Sequence, residues 1–167
     1  MAKGVRIEKF ADEYREELLA LSIRAWEPVF DAMKAATPSF VYNSFYPAGW
    51  RKRHMDDLSA LLEAEPAMVR VAFDEESGVA VGWISIRLHP EDRMGEIYVL
   101  AVDPTYQRRG IASLLMEHAF HYIRESGMAM VMVETGDDPG HAPSRASYES
   151  AGFQRWPVAR YFKDLSR

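Results

Sequence analysis

The clearest hydrophobic pattern in the chain is a stripe of apolar and aromatic residues over 111–123. These residues recur at spacings of three and four, which predicts an amphipathic helix with one buried face. Gly127 follows where a helix C-terminal glycine is expected. The segments EIYVLAV (96–102) and MAMVMV (128–133) flank this helix and are apolar on both faces, as is typical of central strands. This order predicts a right-handed crossover between two parallel strands.

Weaker patterns predict the elements of the first part of the chain. A short strand is expected over 5–10, and spacings of three and four from Asp12 onward indicate a helix. Pro28 permits either a turn or a fresh helical start within this pattern. Residues 37–50 (TPSFVYNSFYPAGW) combine aromatic residues with Pro and Gly, which favours a loop. A second helix is expected over 51–64.

The remaining segments complete a mixed sheet. Residues 68–73 and 79–88 flank the polar turn DEESG, which predicts a β-hairpin. A short helix over 144–150 is expected to end at Gly152, and 158–163 is expected to close the chain as a strand. The order of these elements predicts the α/β (α+β) class, with helices on both faces of a mixed sheet.

Composition and charge narrow the classes of protein. The 167 residues are 48% hydrophobic and 27% charged, so we expect one globular domain over 1–167 with its own core. The formal net charge of -5 argues against non-specific nucleic-acid binding. No apolar run is long enough to cross a bilayer, and the start MAKGVRIEKF lacks the apolar region of a signal peptide. We therefore expect a cytoplasmic protein without a membrane partner. The absence of cysteine excludes a cysteine nucleophile.

The stretch VDPTYQRRGIA (102–112) places Arg108, Arg109 and Gly110 directly before the clearest helix. The first N–H groups of a helix lack intrahelical partners and carry partial positive charge, and a glycine lets a ligand approach closely. This combination suits a pyrophosphate. The alternative is that the arginines are merely solvated and the glycine serves only the turn. The stretch matches neither the P-loop pattern nor the three-glycine dinucleotide pattern.

Two motifs resemble those of the GNAT superfamily of acetyl-CoA-dependent N-acetyltransferases. QRRGIA (107–112) fits its Q/R-x-x-G-x-G/A motif, and YESAGF (148–153) fits its YExxGF signature. The similarity is specific from Val69 to Lys163, and before that only the order of strand, helix and helix agrees. It implies a central mixed sheet of about six to seven strands flanked by about four helices.

The resemblance also implies where the two substrates bind. Residues 1–66 would form acceptor-side helices with the aromatic loop, and 67–167 would form the acetyl-CoA-binding core. Backbone N–H groups from Arg108 to Ala112 would hold the pyrophosphate. His141 stands where many relatives have an asparagine that contacts the pantetheine arm. The implied acetyl-CoA-binding residues are Leu100 and Val102, on a strand splayed from its neighbour, with Gln107, Arg108, Arg109, Gly110, Ile111, Ala112 and His141.

The implied reaction is direct attack of a primary amine on the thioester in a ternary complex. An alkylamine is mostly protonated at neutral pH, so a base must first remove a proton. Glu96 is the candidate base, because some relatives carry theirs at this position. The alternative for Glu96 is a solvated or ion-paired glutamate. Tyr148 is expected near the sulfur as the acid for the departing thiolate, and the alternative is a tyrosine that packs the short helix on the sheet.

Other polar and aromatic residues have more than one interpretation. His118 lies on the apolar stripe and is expected to be a core or edge residue. His141 with Asp137 and Asp138 resembles a metal cluster in composition only, and no metal site is predicted. A set of aromatic residues either caps the core or walls an amine pocket through shape and cation–π contact. These residues are Trp26, Phe30, Tyr42, Phe45, Tyr46 and Trp50.

Three classes of function follow from these motifs. The favoured hypothesis is acetyl transfer from acetyl-CoA to an amine of a small molecule or a protein, with the acceptor left open. The alternative is a non-catalytic acyl-CoA-binding or sensing module, against which the presence of both Glu96 and Tyr148 argues. A nucleotide- or phosphate-binding protein unrelated to acyl transfer is the third. The resemblance is compatible with a homodimer, although no residue in the sequence indicates one.

Overall fold

The sheet is formed mainly by the segments that the hydrophobic pattern marks as strands. A computed structural model describes residues 4–166, so the first three residues of MAKGVRIEKF and Arg167 lie outside the described residues. The strands follow one another across the sheet in the order β1-β2-β3-β4-β5, with β5 parallel to β4 and the other pairs antiparallel. They are β1 (Val5–Lys9), β2 (Val69–Asp74), β3 (Ala80–His89), β4 (Met94–Val102) and β5 (Met130–Val133).

Five α-helices accompany the sheet: α1 (Arg15–Ala36), α2 (Ser39–Phe45), α3 (Trp50–Ala64), α4 (Ile111–Glu125) and α5 (Ala142–Ser150). Neither the turn nor the fresh helical start that Pro28 permits occurs, because α1 runs through this residue. Proline costs about 3 kcal/mol inside a helix, and the buried face on both sides of Pro28, from Leu18 to Phe30, outweighs that cost. The expected loop over 37–50 contains α2, whose buried Val41 and Tyr42 form too short a stripe to be recognised as periodic.

The expected strand over 158–163 is wrong. Within residues 4–166 the sheet has five strands rather than about six to seven, and 158–163 has no regular secondary structure. The side chains of Val158 and Tyr161 are 75% and 91% exposed. A strand requires a hydrogen-bonded neighbour, and no backbone hydrogen bond is described between this segment and β5. An apolar pattern in the segment cannot supply that neighbour.

The core has two layers, one on each face of the sheet. One layer packs α1 and α3 against the sheet, and there the buried indole Nε1 of Trp83 donates to the hydroxyl of Ser22 at 2.9 Å. The other layer packs α4 against the opposite face. Two glycines let α4 lie close, since a Cβ at Gly82 would lie 3.3 Å from side-chain atoms of Ile111 and Leu115 and one at Gly95 would lie 2.5 Å from Ile123. No helix among the described residues has the length and apolar composition needed to cross a membrane.

Candidate functional site

The gap between β4 and β5 positions the candidate site. The two strands pair only from Met94↔Met130 to Ile97↔Val133, whereas β4 continues to Val102. The N–H of Asp103 donates to the carbonyl of Val81 on β3 at 2.9 Å. Because consecutive strand residues direct their backbone groups to opposite edges, those of Leu100 and Val102 point away from β3. The backbone of β4 therefore offers hydrogen-bonding groups to the gap.

A cavity of about 950 Å³ occupies this gap. Its walls come from the end of β4, the start of α4, α5 and the part of α1 around Pro28. This volume lies within the range of small-molecule sites, about 300–1,000 Å³. Of the residues predicted from the sequence, the cavity brings together Leu100, Val102, Gln107, Arg108, Gly110, Ile111, Ala112, His141 and Tyr148.

The loop between β4 and α4 has the shape of an anion site. Arg108 and Gly110 both adopt left-handed backbone conformations, with φ of 64° and 82°. Gly110 is the N-cap of α4, and no side chain caps that helix terminus. Left-handed residues alternating with ordinary ones turn successive N–H groups towards one concave side, and the helix N-terminus adds partial positive charge. The backbone of this loop can therefore bind a phosphate group.

Arg109 does not line the cavity. Its Nη2 donates to the carbonyl of Thr105 at 3.0 Å, and its guanidinium lies 4.8 Å from the centroid of the Tyr106 ring. The neighbouring Gln107 does line the cavity, and its Nε2 donates to the carbonyl of Val102 at 3.1 Å. Of the two adjacent arginines, only Arg108 faces the candidate site.

Asp103 is a buried carboxylate that anchors the same loop, and its role was not predicted from the sequence. Its Oδ1 accepts hydrogen bonds from the N–H and the hydroxyl of Thr105, and its Oδ2 accepts two from Arg24 of α1, the shorter at 2.6 Å. Burial raises the pKa of Asp103, but the hydrogen bonds from Thr105 and Arg24 outweigh it and hold the pKa below its usual range. The order Asp-Pro-Thr is a sequence signal that an aspartate caps the following turn. The partner Arg24 could not be predicted, because it lies far from Asp103 in the sequence.

Tyr148 reaches the cavity from α5. The motif YESAGF holds this helix in place, because Gly152 turns the chain with a φ of 91° and the N–H of Phe153 donates to the carbonyl of Tyr148. The Phe153 ring lies 5.8 Å from that of Tyr148 and 5.7 Å from that of Phe120 on α4. Burial raises the pKa of the Tyr148 phenol, so the hydroxyl stays protonated at neutral pH.

His141 forms a close pair with Asp138 at the start of α5. Its Nδ1 lies 2.6 Å from the Asp138 carboxylate, and both side chains are largely buried, at 19% and 13% exposure. Asp138 also accepts the N–H of Gly140, and Arg145 donates to the carbonyl of Asp138. A Cβ at Gly140 would lie 2.6 Å from the carbonyl oxygen of Val29, so this turn packs directly on α1. The pair is therefore held at the cavity wall by contacts on both sides.

The family model described as the acetyltransferase (GNAT) family matches residues 36–153. The chain belongs to this family. The α/β mixed sheet and the GNAT resemblance expected from the sequence are thereby confirmed, with fewer strands than expected.

Curated relatives with similar sequences are named mycothiol acetyltransferases. The one from Rhodococcus opacus (strain B4) is 28% identical over 148 residues, which is 83% of this chain and 47% of the relative. The one from Rhodococcus erythropolis (strain PR4 / NBRC 100887) is 30% identical over 122 residues, covering 69% of this chain and 40% of the relative. The GNAT chain thus spans less than half the length of these curated relatives.

Solved structures share the GNAT fold along nearly the whole chain. An aminoglycoside acetyltransferase from an uncultured soil metagenomic sample, in complex with sisomicin, has a TM-score of 0.62 at 22% identity and covers 98% of this chain and 97% of its own. The PaiA N-acetyltransferase of Thermoplasma acidophilum, in complex with coenzyme A, has a TM-score of 0.65 at 14% identity, with coverages of 93% and 92%. At these identities the likeness shows the fold alone.

Glu96 lies apart from the other predicted site residues of this GNAT chain. It is near the start of β4 and does not line the cavity. Its Oε2 is 2.7 Å from Nε2 of His89 on β3, and its side chain is 16% exposed. The cavity wall begins one residue further along β4, at Ile97, and continues through Tyr98. Glu96 is therefore adjacent in sequence to a residue of the cavity wall, but its carboxylate is paired with His89.

The aromatic residues of the first part of this GNAT chain divide between the core and the cavity wall. Phe30, Tyr42 and Trp50 are buried, and the rings of Phe30 and Trp50 stack at 4.4 Å. These residues cap the core, whereas Trp26 is half-buried and lines the cavity beside Pro28. Phe45 and Tyr46 do not line the cavity.

The histidine and two aspartates that resemble a metal cluster in composition are divided between two separate ion pairs. Asp137 pairs with Arg155 at 2.6 Å, and Asp138 pairs with His141. No group of three potential metal ligands is found in residues 4–166. His118 is half-buried on α4 and does not line the main cavity.

Proposed function

We propose that this chain transfers an acetyl group from acetyl-CoA to a primary amine by direct attack in a ternary complex. The observation that carries the proposal is a single cavity into which three features open. These are the part of β4 that has no pairing with β5, the loop before α4 with its left-handed residues, and the protonated hydroxyl of Tyr148. Membership in the acetyltransferase (GNAT) family supports the same donor.

The backbone would bind most of the donor. The loop N–H groups from Arg108 to Ala112 fit a pyrophosphate, since both left-handed residues and a helix N-terminus direct partial positive charge there. The backbone groups of Leu100 and Val102 would form hydrogen bonds with the pantetheine and the thioester carbonyl, as they would with a neighbouring β-strand. His141, fixed by Asp138, would contact the pantetheine arm in place of the asparagine that many relatives have.

Tyr148 would act on the leaving group. When the amine attacks, the carbon–sulfur bond breaks and negative charge develops on the sulfur. A phenol whose pKa is raised keeps its proton at neutral pH and can donate it to the thiolate. The incoming amine must lose its own proton to a base, and we propose Glu96 for this role. Because Glu96 does not line the cavity, it would act through a bridging water.

The acceptor would approach from the side of α1, where Trp26 lines the cavity. This fits an organisation in which 1–66 supplies acceptor-side elements and 67–167 the acetyl-CoA-binding core of one domain over 1–167. The net charge of -5 favours a cationic amine over an anionic acceptor. The names of the relatives and of one solved structure support small-molecule amines of the mycothiol and aminoglycoside type, and the proposal extends to protein amino groups.

The proposal is tested by measuring thiol release from acetyl-CoA with a panel of amines. The panel contains aminoglycosides, polyamines, amino acids and peptides with free N-termini or lysines. Acetyl transfer to at least one amine, above the rate of acetyl-CoA hydrolysis alone, is the expected result. Tight acetyl-CoA binding without transfer to any amine class would instead indicate a non-catalytic binding module.

A further inference from the structure

Helix α1 contains a proline in its interior, and this proline lies at the wall of the cavity. The helix continues well beyond Pro28 on both sides. A proline has no backbone N–H, so it cannot donate to the carbonyl four residues earlier, which belongs to Arg24. Among residues 4–166, no backbone donor outside α1 is described for this oxygen. The hydrogen-bond ladder of α1 therefore has a gap at the Arg24 carbonyl.

This gap lies on the side of α1 that faces the cavity. A helical carbonyl points along the axis towards the residue four positions later. The Arg24 oxygen is therefore placed between the backbone of Ala25 and the ring of Pro28. Ala25 and Pro28 both line the cavity, and Pro28 is exposed. A molecule in the cavity can thus reach the Arg24 oxygen as a hydrogen-bond acceptor.

Trp26 adds an aromatic ring to the same part of the wall. It is half-buried, and its ring lies 4.6 Å from that of His54 on α3, which supports the indole from behind. We call the Arg24 carbonyl, Trp26 and Pro28 the α1 wall. An indole face attracts cations, and a carbonyl without its helical partner carries partial negative charge, as at a helix C-terminus. Both groups favour an N–H donor that is positively charged.

The charges around the α1 wall allow a cation to bind there. The guanidinium of Arg24 is paired with the buried carboxylate of Asp103 at 2.6 Å, so its charge is compensated. The side chains of α1 that line the cavity are uncharged. Elsewhere the cavity is lined by two acids, Glu117 and Glu134, and by Arg108 in the loop before α4. The positive charge of the cavity thus lies at the proposed pyrophosphate site and not at the α1 wall.

We propose that the α1 wall binds an ammonium group of the acceptor other than the amine that is acetylated. The acceptor is then a molecule with at least two amino groups. One attacks the thioester, while the other keeps its protons and donates to the Arg24 carbonyl. Pro28 is a positioning residue, because its missing N–H leaves that oxygen available. The inference rests on the proposed acetyl transfer for the reacting amine and goes beyond it in naming the class of acceptor.

Calorimetry with matched amines tests the α1 wall without requiring turnover. Cadaverine and hexylamine differ only in carrying an ammonium or a methyl group at the far end, and putrescine and pentylamine form a shorter pair. Wild-type protein saturated with CoA is expected to bind at least one diamine about tenfold or more tightly than its matched monoamine, because charged donors form the stronger hydrogen bonds. Pro28→Ala supplies an N–H to the Arg24 carbonyl and should reduce this preference about threefold or more.

Pro66→Ala is the matched control for the loss of a proline. Pro66 begins the short turn before β2 and does not line the cavity, so this variant should keep the wild-type preference. Pro28→Ala is expected to raise Tm, since alanine is the better helix former, and a reduced preference then cannot result from unfolding. Trp26→Leu removes the π face and should also reduce the preference for the diamine.

Thiol release measured with the same amines separates this inference from the proposed function. Tighter binding of a diamine without thiol release would contradict the proposed acetyl transfer and leave the α1 wall as an ammonium site. Equal affinities for both members of each pair would overturn the inference, whether or not thiol is released. So would a preference that Pro28→Ala leaves unchanged. Equal weakening of both amines by Pro28→Ala would also overturn it, because Pro28 would then only shape the cavity.

Discussion

The phenol of Tyr148 lies at the wall of the cavity, and it is the side chain there whose protonation matters most for the proposed reaction. Burial raises its pKa, so the hydroxyl carries its proton below that raised value and loses it only at more alkaline pH. Its capacity to donate a proton is therefore complete at neutral pH and declines on the basic side. An unburied tyrosine would lose its proton at lower pH.

Replacing Tyr148 by Phe keeps the ring packed on Phe153 and removes the proton donor. We expect kcat to fall by about 100-fold or more, because general acid catalysis contributes about 10²–10⁴-fold. The acetyl-CoA dissociation constant, measured by calorimetry, should change by no more than about tenfold, since one neutral hydrogen bond is worth about 0.5–1.5 kcal/mol. A variant with the wild-type kcat would show that the leaving thiolate needs no proton from Tyr148.

Asp138 and Asp137 are adjacent in sequence and differ in what they contact. Asp138 is buried against His141, and Asp137 is 71% exposed and paired with Arg155. We expect Asp138→Asn to weaken acetyl-CoA binding by about tenfold, because it replaces a hydrogen bond from His141 to a carboxylate, worth about 1.5–3 kcal/mol, by a neutral one worth about 0.5–1.5 kcal/mol. Asp137→Asn should bind acetyl-CoA like the wild type. Equal affinities of the two variants in calorimetry would rule out positioning of His141 by Asp138.

At the scale of elements, the anion site proposed in the loop before α4 is built mainly from backbone groups. Gly110 has a φ of 82°, a conformation that other residues adopt only with strain, and it lines the cavity. Arg109 points back onto its own loop. We therefore expect the backbone at Gly110 to contribute more to the affinity for CoA than the positive charge of Arg109 does.

We expect Gly110→Glu to weaken CoA binding on the order of 100-fold, because strain at this φ costs about 1–3 kcal/mol and a carboxylate repels the phosphate. Arg109→Ala should weaken it by less than about tenfold, since an exposed cation contributes about 0.2–1 kcal/mol. Gly110→Ala introduces the strain without the charge, so its affinity for CoA should lie between those of the other two variants. The reverse order of affinities in calorimetry would contradict a backbone-dominated site.

Helix α1 is tied to the same loop by Arg24 and Asp103. Replacing Arg24 by Met leaves the buried Asp103 carboxylate with only its bonds from Thr105. We expect the free energy of unfolding to fall by about 1–3 kcal/mol. Each kcal/mol lowers Tm by about 2–4 °C in a protein of this size. Lys52→Met is the matched control, because Lys52 pairs with Asp56 where both side chains are more than 60% exposed, at 65% and 62%. It should change stability by less than about 0.5 kcal/mol.

The pH dependence of the Arg24→Met effect follows from the lowered pKa of Asp103. A carboxyl whose pKa is lower in the folded state stabilises the fold above its unfolded pKa, about 3.9, and loses that contribution as pH falls through the folded value. The difference in Tm between wild type and variant should thus be full at neutral pH and shrink below about pH 4. A difference that grows on acidification would argue against the ion pair as its cause.

At the scale of the whole molecule, the sequence predicts elements that depend on local pattern and misses features that depend on distant partners. The stripe of α4 and the apolar runs of β4 and β5 were recognisable because neighbours along the chain share one environment. The segment 158–163 has a strand-like composition but no bonded neighbour, and composition cannot show that. The same limit applies to the site, where motifs indicated Gly110 and Tyr148 but not the pairing of Asp103 with Arg24 or of Glu96 with His89.

Arg108 has a backbone conformation that opposes stability to the proposed binding of an anion. Its φ of 64° is one that a glycine adopts freely, whereas a residue with a Cβ loses about 1 kcal/mol or more there. The chain nevertheless has a long cationic side chain at this position, facing the cavity. Glycine would make the free protein more stable and leave the cavity without that charge. Under the proposed function, a bound anion would offset this cost, which the empty protein carries all the time.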